Sequence, residues 1–585
     1  MQPESPRSAN PSSSLLGHDS RHSAHSGSDW DGNSPYSHSS SARASDASIV
    51  GSKFHLSPDP HEWGSTLYKD TKEPDDELHN PTRRDNGVSH NIFTFRGLMN
   101  LGCLFILVMG LVTLFAGFPL ISFLTTPAQT NQGGFNLGGI NATGQVPEMN
   151  NWALIDKDTP KSAYTKISLE DGSKMQLVFS DEFNKDGRTF WPGDDPFWEA
   201  HDMHYWGTNN LEWYSPEAIT TSGGNLVISL LEYQIHELDY MGGFMSTWNK
   251  LCFQGGYIEA SIVLPGEATV AGLWPAFWTL GNLGRAGYGA SLDGMWPYSY
   301  DSCDVGTLSN QTLNGGPEAA LTTGEKGNNY ALSYLPGQRL SRCTCDGESH
   351  PGPKHKDGSY VGRAVPELDV IEAQVTGDPR FGHVSLTCQI APFNSEYKWD
   401  DRPEHYTLHM GDSVHLNDYR GGALQQSVSA LALTNPECYE RGGGCYSEYA
   451  VEYKPGFDEG YVHWVSDGKQ AWSLRGAGLG ADAATNISAR PIPMEPMYLI
   501  LNLGMSYNFG AVDLPLLVFP MHMYVDYVRV YQRPGEVKVS CDPPDFPTAA
   551  YINTYPEAYS NPNLTTWVDD YGQANPKNRL IDQCK

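Results

Sequence analysis

A chain of 585 residues with a formal net charge of -30 has room for several domains and presents an acidic surface, which excludes nucleic acid as a partner, since phosphate binding needs a basic one. Fifteen Trp, 31 Tyr, 60 Gly and 40 Pro point away from a helical protein and toward a turn-rich β protein with aromatic side chains to spare for a carbohydrate.

Residues 1–96 read as a disordered, Ser-rich cytosolic tail. Sixteen of the first fifty residues are Ser, apolar residues are isolated, and no helical or strand period repeats. Tails of this kind carry phosphorylation or sorting signals, so cytosolic sorting factors are expected partners, and no apolar stretch near Met1 marks a cleaved signal peptide. Residues 97–124 hold no charge over 28 positions, more than the roughly 20 needed to cross a bilayer. Arg83, Arg84 and Arg96 precede this span and the next cation after it is Lys157, so the positive-inside rule gives a single-pass type II signal anchor of the secretory pathway (endoplasmic reticulum, Golgi or plasma membrane). The bulk of the chain is then lumenal or extracellular.

Glycosylation sequons agree with that topology: Asn141, Asn310, Asn486 and Asn563 all follow the span, whereas Asn10 and Asn80 before it are blocked by Pro11 and Pro81. Nine of the ten Cys also follow it and read as a disulfide framework with one thiol left over, not as a metal site. Residues 125–165 form a Gly- and Asn-rich stalk. From about 166 to 540 short runs of β-formers alternate with turn residues (QLVFSDEF, NLVISL, YIEASIVL, HVSLTCQI, MYLILNL, MYVDYVRVYQ), which predicts an all-β antiparallel sandwich or jelly roll. Residues 541–585 read as a Pro- and Tyr-rich tail stapled to that domain by Cys541 and Cys584.

Within the β domain, Glu367-Leu-Asp-Val-Ile-Glu372 places three carboxylates in six residues. In a regular strand Glu367 and Asp369 share a face and Glu372 does not. One bulged residue, Val370 or Ile371, would return Glu372 to their face and set three acids on one wall. That suits glycoside hydrolysis with retention, where one carboxylate attacks and another donates a proton about 5 Å away. Such a string also occurs as the solvated edge of an outer strand. Three acids in a row cannot all ionise cheaply, and the least hydrogen-bonded, taken as Glu372, keeps its proton.

The segments LVFSDEF (177–183), GGYIEASIVLPG (255–266), GLWPAFWTLG (272–281), ELDVIE (367–372) and MYVDYVRVYQ (523–532) resemble, in order and wording, glycoside hydrolase family 16, the laminarinase-like enzymes. The resemblance implies a curved β-sandwich of the jelly-roll type with the acids on its concave face. A long insertion, about 283–364, including MWPYSYDSCDVGT and SYLPGQRLSRCTCDGESHPGPKH, is similar to fungal membrane-anchored proteins associated with β-1,6-glucan synthesis in the cell wall. Carried over by residue, Glu367 is the nucleophile, Glu372 the acid/base and Asp369 their neighbour. Trp274 and Trp278 supply a sugar platform or else pack the core, Trp296 with Tyr298 and Tyr300 extends the cleft or packs a loop, and Asn209, Asn210 and Glu212 are polar sugar contacts. No cofactor is expected. Asp526 resembles a position near a structural calcium in some members, but the sequence supplies no further oxygen ligands for one.

One departure bears on activity: the His expected shortly after the acids is replaced by Cys388 and Gln389 in SLTCQIAPF, with His383 as a remote substitute. A transglycosylase tolerates that loss better than a hydrolase. The expectation is therefore a retaining glycosidase or transglycosidase acting on cell-wall β-glucan. The alternatives are a non-catalytic glucan-binding or assembly protein using the same cleft, and a folding or trafficking factor for wall synthases.

Overall fold

A computed structural model describes residues 95–125 and 153–584. The tail up to residue 94 and the stalk from 126 to 152, with Asn141, lie outside the described residues. The chain forms two compact units, one with the apolar helix and one with the β domain. In the first, α1 (Phe95–Val112) runs through a π turn at Thr113–Gly117 into α2 (Phe118–Thr125). Apolar side chains stand exposed all round it, Phe105, Ile106 and Phe115 among them, a composition that water does not tolerate and a bilayer does. Among the described residues it is the one helix long and apolar enough to cross a membrane.

The second unit is built on thirteen longer strands. In chain order they are β1 (Lys174–Asp181), β2 (Asn225–Ile235), β3 (Leu238–Ser246), β4 (Gly256–Val263), β5 (Trp274–Gly281), β6 (Glu367–Thr376), β7 (Phe381–Ile390), β8 (Gln425–Leu433), β9 (Ser447–Lys454), β10 (Tyr461–Ser466), β11 (Lys469–Arg475), β12 (Met497–Gly504) and β13 (Met521–Gln532). One antiparallel sheet runs β13-β4-β9-β10-β11, with β1 and β2 sharing the free side of β13. The other runs β3-β12-β5-β6-β7-β8. Alternation along each strand sends one set of side chains between the sheets: Ile258, Ile262, Trp464, Met523 and Val525 from the first meet Phe277, Leu368, Leu386, Leu499 and Leu501 from the second in one core. Trp464 stacks on Trp472 at 4.4 Å and donates its indole N–H to the Asp369 carbonyl at 2.8 Å, fixing the middle of β6 from beneath. This is the all-β sandwich expected from the sequence.

The segment expected as stalk ends sooner than residue 165. Ile155 bridges to Ser180, Thr159 is buried, and residues 165–167 pair with β1, because Lys166 satisfies Glu259 and Glu448, two carboxylates on the outer face of the first sheet. The C-terminal segment is stapled to the domain through both cysteines, as expected, and also packs on it. Its helices α3 (Ala549–Thr554) and α4 (Pro556–Ser560) bury Tyr551, Tyr559 and Trp567 against the insertion. Disulfides Cys252–Cys541 and Cys345–Cys584 hold both ends of this segment, and Cys303–Cys343 and Cys438–Cys445 close local loops. The leftover thiol of the β domain is Cys388, in the core, and the tenth Cys is Cys103 on α1. The sequon residues Asn310, Asn486 and Asn563 are all exposed.

Candidate active site

A groove enclosing about 320 Å³ crosses the outward face of the second sheet. Its floor is the alternate residues of successive strands: Asn502 on β12, Trp274, Ala276 and Trp278 on β5, Glu367, Glu372 and Gln374 on β6, Ser385, Thr387 and Gln389 on β7, and Ser427 on β8. The irregularity that puts both glutamates there lies in β6. Against β5, Trp278 pairs with Asp369 and Phe277 with Ile371, so Val370 has no partner; against β7, Asp369 pairs with Thr387 and Glu372 with Ser385, three residues set against two. Leu368, Val370, Ile371 and Ala373 all face the core, and Glu367 and Glu372 face the groove.

Each acid has its own environment. Glu367 accepts the Trp296 indole N–H, and Glu372 accepts the Trp274 indole N–H at 3.1 Å and the Ser385 hydroxyl at 3.3 Å. Asp369 is 1% exposed and accepts from the Gln389 amide at 3.3 Å. Burial raises all three above the usual carboxylate range, with the Glu372 charge as the second cause at Glu367 and, at Asp369, the charges of Glu367 and then Glu372, with a hydrogen bond to Glu367 adding to the rise. Carboxyls this close release protons as a set, and hydrogen bonds decide which member ionises first. Glu367 takes both an indole N–H and the hydrogen bond from Asp369, whereas the donors on Glu372 are longer, so the arrangement favours ionised Glu367 with protons left on Asp369 and Glu372.

The aromatic residues divide. Trp274 is a groove wall, stacked on Phe509 at 4.1 Å and 3°. Trp278 lines the floor yet is only 8% exposed, its N–H held by Asn502 at 2.8 Å, so it joins groove and packing. Trp296 lines the groove beside Glu367, but Tyr298 and Tyr300 turn away into a separate cluster with Leu332 and Phe393, because that loop must bury its own apolar residues. Asn210 lines the groove, whereas Glu212 is fully buried behind it, its oxygens taken by Asn210 and the Met505 N–H, and Asn209 is exposed in the left-handed conformation outside it.

The residue that stands in place of the expected His, Gln389, points into the groove and holds Asp369, while Cys388 faces the core. His383 spends Nδ1 on its own strand at Phe381 and lies outside the groove lining. Near Asp526, the Glu182 carboxylate is held by Arg529 at 2.7 and 2.9 Å. Reading the sequence missed Gln374, Asn502 and Phe509. Gln374 shares the face of Glu372, and Asn502 is the one polar residue in MYLILNLG, a signal that was available; Phe509 sits on a loop and gave none.

A family model described as "Beta-glucan synthesis-associated protein SKN1/KRE6/Sbg1" matches residues 65–584. The chain is 41% identical over 531 residues to the beta-glucan synthesis-associated protein KRE6 of Saccharomyces cerevisiae, covering 88% of this chain and 70% of that one. It is 40% identical over 531 residues to KRE6 of Candida albicans, covering 88% and 67%. Among solved structures, the endo-beta-1,3-glucanase from Pyrococcus furiosus overlies 63% of this chain and 98% of its own at 18% identity, with a TM-score of 0.35.

Proposed function

We propose, since this chain belongs to the beta-glucan synthesis-associated SKN1/KRE6/Sbg1 family, that its groove is the active site of a retaining glycosidase or transglycosidase acting on cell-wall β-glucan. The observation that carries this reading is the bulge in β6, which sets Glu367 and Glu372 on one face, each accepting an indole N–H, with the buried Asp369 between them. A site that only binds sugar has no use for two carboxyls of opposite protonation on one wall.

In the first step Glu367 attacks the anomeric carbon, an ester bond forms as the glycosidic C–O bond breaks, and the proton of Glu372 passes to the leaving oxygen. In the second, a water or sugar hydroxyl gives its proton to Glu372 and its oxygen displaces Glu367. Trp274 and Trp278 offer the sugar apolar faces, with Asn210, Gln374 and Asn502 as polar contacts. In this reading α1 and α2 anchor the protein in a secretory-pathway membrane with the β domain on the lumenal or outer side, Asn310, Asn486 and Asn563 carry glycans, and the Ser-rich tail meets sorting factors in the cytosol.

A second reading, a glucan-binding assembly protein without chemistry, is favoured by Gln389 standing where a His would assist the acid/base. The test is to incubate the β domain with β-1,3- and β-1,6-linked gluco-oligosaccharides and follow the anomeric configuration of the first product by NMR. Retention, with longer products for transfer or shorter ones for hydrolysis, is expected. Inversion overturns double displacement, and binding without turnover supports the second reading.

A further inference from the structure

Behind the groove lies a buried carboxyl that the proposed reaction does not use. Glu212 is fully buried, and its two oxygens are divided between two loops: Oε1 accepts the Asn210 amide at 2.6 Å and Oε2 accepts the backbone N–H of Met505 at 2.8 Å. The same loops meet again where Leu211 N–H donates to the Met505 carbonyl at 2.9 Å and the Ser506 hydroxyl donates to the Thr208 carbonyl. The backbone makes room for this carboxyl: a Cβ on Gly242 would lie 2.9 Å from Glu212 Cγ, and one on Gly504 would strike its Oε1. Burial pushes Glu212 up to about 7, against the pull of the Asn210 and Met505 donors, so holding it there is costly and the fold retains it.

Both loops line the groove. The first brings Tyr205, Trp206, Thr208 and Asn210; the second leaves Met505 and reaches Asn508 and Phe509 four residues later. Phe509 lies flat on Trp274, and Trp274 donates to Glu372. The network also spreads sideways, from Asn210 to the Tyr214 hydroxyl at 3.0 Å, from Tyr214 to Asn502 at 3.4 Å, and from Asn502 to the Trp278 indole.

We propose that Glu212 is a positioning residue: by clamping the 205–210 loop to the 505–509 loop it seats Phe509 against Trp274 and so fixes the indole N–H that Glu372 accepts. This rests on the reading of Glu372 as the acid/base.

A double-mutant cycle tests it, because residues that act through one another give non-additive losses. Glu212→Gln keeps the volume but can accept from only one of the two donors. It is expected to lower turnover at saturating oligosaccharide by about ten- to a hundredfold, the scale of a displaced acid/base, and to change KM less. Phe509→Leu is expected to lower turnover as well, and the double variant to be no slower than the slower single. Losses that multiply, or Glu212→Gln turning over at the wild-type rate, overturn the clamp. Should Glu212→Gln not fold, Ser506→Ala, which breaks a second side-chain tie between the loops, replaces it with the same expectations. If the wild type turns over nothing, the enzymatic reading has failed by itself; the cycle is then read on the Kd of a glucan oligosaccharide, where additive effects overturn the clamp and non-additive ones retain it.

Discussion

As the acid of the proposed reaction, Glu372 has to meet its substrate protonated, and burial is what keeps it so near neutral pH. The groove holds it near neutrality, with desolvation raising it to about 7 and the Trp274 and Ser385 donors pulling the other way. Activity that needs this proton falls as pH rises through about 7. An N–H aimed at a carboxylate favours the ionised form, so Trp274→Phe, which keeps the ring and removes the donor, leaves Glu372 holding its proton to higher pH. The pH profile of kcat is therefore expected to keep its shape with the alkaline limb displaced upward; a limb that stays put or moves down contradicts the assignment. Trp296 supplies the matching donor to Glu367, so the two glutamates share an indole each, one from β5 and one from the insertion, and the further hydrogen bond from Asp369 is what sets Glu367 apart.

At the scale of elements, the bulge in β6 decides which way Glu372 faces. Strict alternation would carry it into the core between the sheets, and the unpaired Val370 absorbs the odd residue. Deleting Val370 restores alternation with Glu367, Asp369 and Glu372 still on one face, so that variant is expected to melt at a lower temperature yet keep measurable turnover, while deleting both Val370 and Ile371 turns Glu372 inward and abolishes it. Thermal melts and oligosaccharide assays on the two variants check this, and the reverse order of activities refutes it. The bulge was legible in the sequence because E-x-D-x-x-E makes chemical sense only with one residue extra, and the strands were legible from runs such as YIEASIVL and MYLILNL. The insertion was not. Residues 283–364 contain only short helical turns and pack as irregular loops, so no period announced that Trp296 would reach Glu367 while Tyr298 and Tyr300 turned away. The resemblance of its segment implies a sugar contact at Glu212, and what places it behind the groove is the approach of the 505–509 loop, distant in sequence, whose Met505 N–H it accepts.

For the whole molecule, the C-terminal segment belongs to the groove as much as the sheet does. Thr565 lines it, Trp567 packs under Arg339 of the insertion at 3.6 Å, and two disulfides of 289 and 239 residues' separation tie this segment back. Groove, insertion and C-terminal segment thus form one unit built on a β-sandwich whose second sheet bears the acids. Double displacement in this groove requires a covalent glycosyl ester on Glu367, and intact mass can detect it directly. The β domain carrying Glu372→Gln is mixed with β-1,3- and β-1,6-linked glucobiosyl fluorides, whose leaving group needs no acid but whose ester then waits for a missing base, and intact mass is recorded. The expected result is a protein heavier by one glucobiosyl unit, mapped to Glu367 by peptide analysis and absent when Glu367→Gln is added. An unmodified mass for Glu372→Gln with a fluoride that the wild type consumes, or an adduct that survives Glu367→Gln, would contradict it.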